Sequence, residues 1–201
     1  MHTEPRAARL FLLARFSPRP GERCRYPAQT MPYETTIVIE HLRAELANAI
    51  PSDHHYWKDE PLVYPVAGIA DVQATNAALG FELPELLQRI FTEIGNGGYC
   101  LGPGIVGLPG GYDCREELDI VTDYNENATY FKWWQQFVVI TDWGCAMRSY
   151  IDCSIPDGSV YRYDGNGFDS DEHLELLLPS ADFWALEAPT LSDWFMNPPR
   201  G

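Results

Sequence analysis

Basic side chains are scarce in this sequence of 201 residues. Only 14 lysines and arginines stand against 29 aspartates and glutamates, which gives a formal net charge of −15 at pH 7. Binding to nucleic-acid backbones or to anionic membranes requires clustered positive charge. We therefore expect no nucleic-acid partner and no membrane partner, whereas the field of such a chain attracts a basic protein.

Long apolar runs are also missing. None approaches the roughly 18 residues that span a bilayer, and the stretch from Leu10 to Ala14 is shorter than the core of about 7–15 residues in a secretory signal. Residues 1–30 carry six arginines against two glutamates. We predict a basic leader over residues 1–30 that is disordered or precedes a true start at Met31, and a single cytosolic domain over residues 31–201.

Motifs for metals, cofactors and catalysis are lacking as well. The five cysteines are an odd number and include no C-x-x-C pair, which predicts reduced thiols and no structural zinc. The segment Gly102–Gly107 matches G-x-G-x-x-G, but a predicted helix precedes it and Pro-Gly-Gly follows, so the dinucleotide site that needs strand, turn and helix is not expected. We predict a protein that is not an enzyme and has no cofactor.

One histidine pair leaves an enzymatic alternative open. His54 and His55 follow Asp53 and lie close to Asp59 and Glu60. Adjacent side chains of an extended chain point apart, so a shared metal would need further ligands from elsewhere. The remote alternative is a small metal-dependent hydrolase that uses His54 and His55.

Helical patterns dominate the first two thirds of the chain. We predict helices over Glu34 to Ala49, from an N-cap at Asp71 to Leu79 with Gly80 as the left-handed terminus, from Pro84 to Ile94, and over Arg115 to Tyr124. The third has the widest apolar face, with Pro84 suited to its first turn.

Strand patterns follow. Phe137 to Thr141 is a branched apolar run, and residues from Ala146 to Cys153 alternate, with Arg148, Tyr150 and Asp152 on the opposite face from their neighbours. A Pro-Asp-Gly turn at residues 156–158 leads to a third strand at Ser159 to Asp164. Thr190 begins a capping box before a short last helix. Helices before an antiparallel meander of three strands predict the α+β class.

Two acidic groups are the candidate partner-binding residues. The first contributes Glu116, Glu117, Asp119 and Asp123, and the second contributes Asp169, Asp171 and Glu172. Such groups repel one another unless an outside charge neutralises them. They are either solvated faces that maintain solubility or a docking surface for a basic protein.

An ordered set of motifs resembles the SUKH superfamily. The motifs are Ala78-Leu79-Gly80-Phe81-Glu82-Leu83-Pro84-Glu85-Leu86-Leu87, Ile94-Gly95-Asn96-Gly97-Gly98-Tyr99, Asp142-Trp143-Gly144-Cys145 and Asp157-Gly158-Ser159-Val160. The resemblance implies an α+β domain with a mainly antiparallel sheet that binds proteins and has no enzymatic activity. It assigns structural roles to Gly80, Pro84, Asn96, Gly97, Gly98, Trp143, Gly144 and Gly158, with Trp143 as a core anchor.

The superfamily includes a fungal cell-wall-assembly regulator and bacterial immunity proteins of polymorphic toxin systems. The resemblance therefore implies an immunity protein that covers the active site of a cognate basic toxin domain, such as a nuclease. The alternative is a regulatory scaffold that binds endogenous host proteins.

Overall fold

A computed structural model describes residues 32–48, 63–98, 104–113, 118–130, 136–167 and 184–198. These residues form five α-helices and one four-stranded antiparallel sheet, which confirms the α+β class. The helices are α1 (Thr35–Asn48), α2 (Ile69–Leu79), α3 (Glu85–Glu93), α4 (Ile120–Tyr130) and α5 (Leu191–Met196). The strands are β1 (Phe137–Gly144), β2 (Met147–Asp152), β3 (Val160–Asp164) and β4 (Trp184–Ala188).

The first three helices lie close to their predicted positions. Helix α2 begins after Gly68, and the Asp71 carboxylate accepts a hydrogen bond from the Gly68 N–H at 2.8 Å. Asp71 therefore stabilises the helix start from inside the first turn and is not the N-cap that we predicted. Gly80 ends α2 with φ +81°, as predicted, a conformation that costs little without a Cβ.

Helix α3 buries the apolar face that its spacing predicts. Leu86, Leu87, Ile90 and Phe91 are all buried, while Pro84 immediately precedes the first helical residue. Fully burying one such aliphatic side chain contributes about 1.5–3 kcal/mol relative to leaving it exposed.

A tight loop follows α3 and is organised around Asn96. Its buried side chain accepts a hydrogen bond from the Leu108 N–H at 2.8 Å. A Cβ on Gly97 would lie 2.6 Å from the Ile105 carbonyl oxygen, and φ is +83° there. Residues 105–108 form no strand, and Ile105 makes only an isolated bridge with Gly98.

Helix α4 begins five residues later than predicted. Asp119 accepts hydrogen bonds from the N–H groups of Val121 and Thr122 at 2.8 and 2.9 Å. This is the geometry of a capping residue, which fixes the helix start at Ile120. Leu118, which is buried, lies just before the helix.

The sheet has the strand order β1-β2-β3-β4. The alternation predicted for β2 is confirmed: Arg148 pairs with Tyr163, whereas Ser149 pairs with Arg162, so the two arginines lie on opposite faces. The prediction of three strands was incomplete because β4, a short segment without a clear alternating pattern, adds a fourth.

Two of the turns that join the strands contain or adjoin a glycine. A two-residue turn of Cys145 and Ala146 joins β1 to β2, and both residues have positive φ, as does Gly144 before them. Between β2 and β3, a Cβ on Gly158 would lie 1.7 Å from the Asp152 carbonyl oxygen. The close approach at this turn therefore requires glycine.

The last helix closes the core. Thr190 accepts a hydrogen bond from the Asp193 N–H, which confirms the predicted cap. Within α5, Leu191, Trp194 and Phe195 are buried against the same core cluster as α1, α3 and the sheet.

Candidate functional site

Five of the seven predicted partner-binding residues lie outside the described part of the chain: Glu116, Glu117, Asp169, Asp171 and Glu172.

Asp119 and Asp123 are within the described part of the chain, and neither is a freely solvated carboxylate. Asp119 is committed to capping α4. Asp123 is only 1% exposed. Burial corrects the expectation that Asp123 belongs to an exposed acidic surface, because α4 turns this residue towards the sheet.

Asp123 belongs to a cluster at the end of the sheet, which we call the Asp123 cluster (Asp123, Asp142, Arg148 and Tyr150). Arg148 donates from Nη1 to Asp123 Oδ1 at 3.0 Å and from Nε to Asp142 Oδ2 at 2.8 Å. The Tyr150 hydroxyl lies 3.4 Å from Asp123 Oδ1. Arg148 thus joins a buried carboxylate on α4 to a partly exposed one on β1.

The second oxygen of Asp123 has no such partner. Within the described part of the chain, Oδ2 is buried and makes no hydrogen bond. Burial raises the pKa of Asp123 to about 6, and Arg148 opposes this shift without cancelling it. The carboxyl group therefore titrates near neutral pH.

A second polar cluster lies on the opposite face of the sheet, the Glu187 cluster (Trp143, Ser149, Arg162, Glu187 and Trp194). The Glu187 carboxylate accepts hydrogen bonds from Ser149 Oγ at 2.6 Å, Trp194 Nε1 at 3.0 Å and Arg162 Nε at 2.5 Å. Glu187 is only 8% exposed. Its charge is therefore compensated by one cation and two neutral donors, as a buried carboxylate requires.

Trp143 belongs to this cluster and is partly exposed. Its Nε1 donates to Ser149 Oγ at 2.7 Å, and the Arg162 guanidinium carbon lies 4.5 Å from the centre of its ring. The residue packs against the core from the sheet face, so the predicted core anchor is only partly buried.

All the cationic side chains of the described residues lie either in these two clusters or in the ion pairs of α1 and α3. That part of the chain contains four arginines and no lysine. Arg43 and Arg89 both pair with Glu93, Arg148 pairs with Asp123 and Asp142, and Arg162 pairs with Glu187. Each described arginine is therefore already bound to a carboxylate.

Many carboxylates, by contrast, are exposed and have no cationic partner. Within the described ranges, seven exposed acidic side chains form neither an ion pair nor a hydrogen bond. They are Glu34, Glu40, Glu45, Glu82, Glu85, Asp113 and Glu126. The described surface thus presents negative charge with no unpaired cation to offset it.

Metal-ligating side chains do not cluster in the described part of the chain. The described residues contain no group of three or more histidine, cysteine, aspartate and glutamate side chains that could hold a metal ion. His54 and His55 lie outside those residues. Among the described helices, none is both long and apolar enough to cross a membrane.

Sequence reasoning did not single out Arg148, Arg162 and Glu187. A signal was available, because each is a charged residue within a short strand whose other residues are mostly apolar or aromatic. A charge at such a position either faces solvent or has a partner from another strand or helix. Only the fold shows which partner.

Comparisons with known proteins add no assignment: no protein-family model matches the chain, and no curated protein matches it. The resemblance to the SUKH superfamily therefore stays a prediction.

Proposed function

We propose that the protein is a non-enzymatic protein-binding module whose acidic surface docks a basic partner. The observation that carries this proposal is the division of charge among the described residues. All four arginines are bound to carboxylates, while seven exposed carboxylates have neither an ion pair nor a hydrogen bond.

Unpaired like charges at a surface raise the free energy of the folded state through mutual repulsion. A basic partner removes that repulsion on binding, and the same field accelerates encounter at low ionic strength. An interface of ordinary size, which buries about 1,200–2,000 Å² in total, would cover several of these carboxylates at once.

The class of partner is proposed from the sequence resemblance. The SUKH superfamily includes bacterial immunity proteins, so we propose a toxin domain, such as a nuclease, that is neutralised by occlusion of its active site. A basic active-site surface is what a nuclease needs in order to bind phosphates. The acidic module would compete for that surface by charge complementarity.

The test uses the tagged full chain and two variants as baits in the native lysate. In the first variant, Glu40, Glu45, Glu82 and Glu126 are changed to Gln, which removes four exposed charges. In the matched control the same four residues are changed to Asp, which keeps the charges. We expect the original chain and the Asp variant to retain one basic protein at low salt, and the Gln variant to retain much less.

The immunity role is tested on the retained protein itself. Expressed alone it should stop growth, and co-expression with the original chain should restore growth. Retention of several endogenous proteins without toxicity would favour the regulatory scaffold. Equal retention by the Gln and Asp variants would reject electrostatic docking through these carboxylates.

A further inference from the structure

Arg162 differs from the other described arginines in how its guanidinium is used. Its Nε donates to Glu187, but neither of its Nη nitrogens donates a hydrogen bond in the described part of the chain. Arg89 uses all three nitrogens, and Arg148 uses Nε and Nη1 on two carboxylates. Arg162 thus keeps both terminal NH₂ groups available, and 28% of its side chain is exposed.

The orientation of this guanidinium is fixed from two sides. Glu187 holds Nε at 2.5 Å, and the carboxylate is itself held by Ser149 and Trp194. The guanidinium also lies over the ring of Trp143, whose position is set by its hydrogen bond to Ser149. A charged group so restrained loses little conformational entropy when it binds a ligand.

We propose that Arg162 is a binding residue for a carboxylate, which its two Nη groups hold end-on through two parallel hydrogen bonds. Planar guanidinium and carboxylate groups match in this bidentate geometry, which is stronger than contact with a point charge. Trp143 forms the floor of the site. The acidic surface repels carboxylates and simple halide ions alike, so any preference for a carboxylate comes from the two Nη donors.

The carboxylate site does not depend on the proposed basic partner. A small acid, an acidic side chain of a protein and the terminus of a peptide all present the same group. The site could therefore exist if the immunity role is wrong, and the immunity role could stand without it.

The test follows the Arg162 Nε–H and Trp143 indole N–H signals by NMR in the full chain, with Trp143→Phe to assign the indole. Sodium acetate is titrated against sodium chloride at equal ionic strength. We expect both signals to shift saturably with acetate and not with chloride. Identical responses to the two salts would overturn the proposal.

Variants distinguish the bidentate geometry of the Arg162 guanidinium from its positive charge. Arg162→Lys keeps a cation beside buried Glu187 but removes the two parallel Nη donors. Acetate should therefore bind about tenfold more weakly, equivalent to about 1.4 kcal/mol. Arg43→Gln, which changes an exposed arginine on α1, should leave the titration unchanged. An undiminished Trp143 shift in the Lys variant would show that acetate binds elsewhere and would overturn the proposal.

Two short peptides then distinguish the sources of the carboxylate. One has an internal Asp and an amidated C-terminus, and the other has an Asn in its place and a free C-terminus. Stronger binding of the first indicates an acidic side chain, and stronger binding of the second indicates a chain terminus. A third peptide, with Asn and an amidated C-terminus, carries no carboxylate. If it shifts the Arg162 and Trp143 signals as much as the other two peptides do, carboxylate recognition is contradicted.

Discussion

Asp123 allows a quantitative prediction about stability and pH. Its pKa is about 6 in the folded protein, against an ordinary value of 3.8. Between these values the folded state holds a proton that the unfolded chain has lost. The free energy of unfolding should therefore fall as the pH rises from about 4 to about 6, and it stays lower above that window.

The magnitude follows from the shift. A difference of about 2 pKa units at about 1.36 kcal/mol each gives about 3 kcal/mol of lost stability. The cause is the removal of the Asp123 carboxylate from water, which the contacts with Arg148 and Tyr150 do not offset. Asp123→Asn cannot ionise and should lack this loss.

The assay is urea unfolding of the original chain and the Asn variant at intervals from pH 4 to 8, followed by tryptophan fluorescence. The difference between the two free energies of unfolding isolates Asp123, because both chains share all other titrating groups. It should shift by about 3 kcal/mol in favour of the variant as the pH rises. Glu45→Gln, an exposed change on α1 that is not among the groups acting on Asp123, is the control and should give a nearly flat difference. If the difference for Asp123→Asn is flat or has the opposite sign, attraction to Arg148 outweighs burial and the reasoning is wrong.

Three further outcomes are expected. Asp119→Ala removes the cap of α4 and should lower the free energy of unfolding by about 1 kcal/mol in urea unfolding, while Asp119→Asn should change it little. Ala146→Gly should raise it by about 0.5–1 kcal/mol, because the strain of positive φ exceeds the entropy cost of glycine; a loss of stability would contradict the strained turn. Burial raises the pKa of the Cys153 thiol, whereas Cys145 is exposed. With a thiol reagent at pH 7.5, Cys145→Ser should therefore remove one fast-reacting thiol and Cys153→Ser none; the reverse result would contradict the burial of Cys153.

The elements that the sequence predicts correctly are those specified by local physics. Helix α3 has an apolar face at helical spacing, and β2 alternates strictly, so both are confirmed. The glycine that ends α2 and the threonine that caps α5 are likewise local signals.

The errors concern residues whose environment is set by distant parts of the chain. Asp123 lies in an acidic segment that looks solvated, yet its main partner is Arg148, 25 residues later. Strand β4 is too short and irregular to identify until β3 supplies its pairing. The Glu187 cluster joins residues from β1, β2, β3, β4 and α5, which no single segment reveals.

The two buried clusters also explain how the sheet keeps its register. Replacing a buried ion pair by apolar side chains is often neutral for stability, so these pairs are not in themselves evidence of added stability. Their geometry, however, is specific, because Arg148 and Arg162 lie on opposite faces and each meets a carboxylate only there. A slip of one residue in either β2 or β3 would turn that strand's arginine to the other face and leave a buried carboxylate without its cation. The paired charges therefore disfavour alternative registers, and they do so with the very arginines that would otherwise have offset the acidic surface.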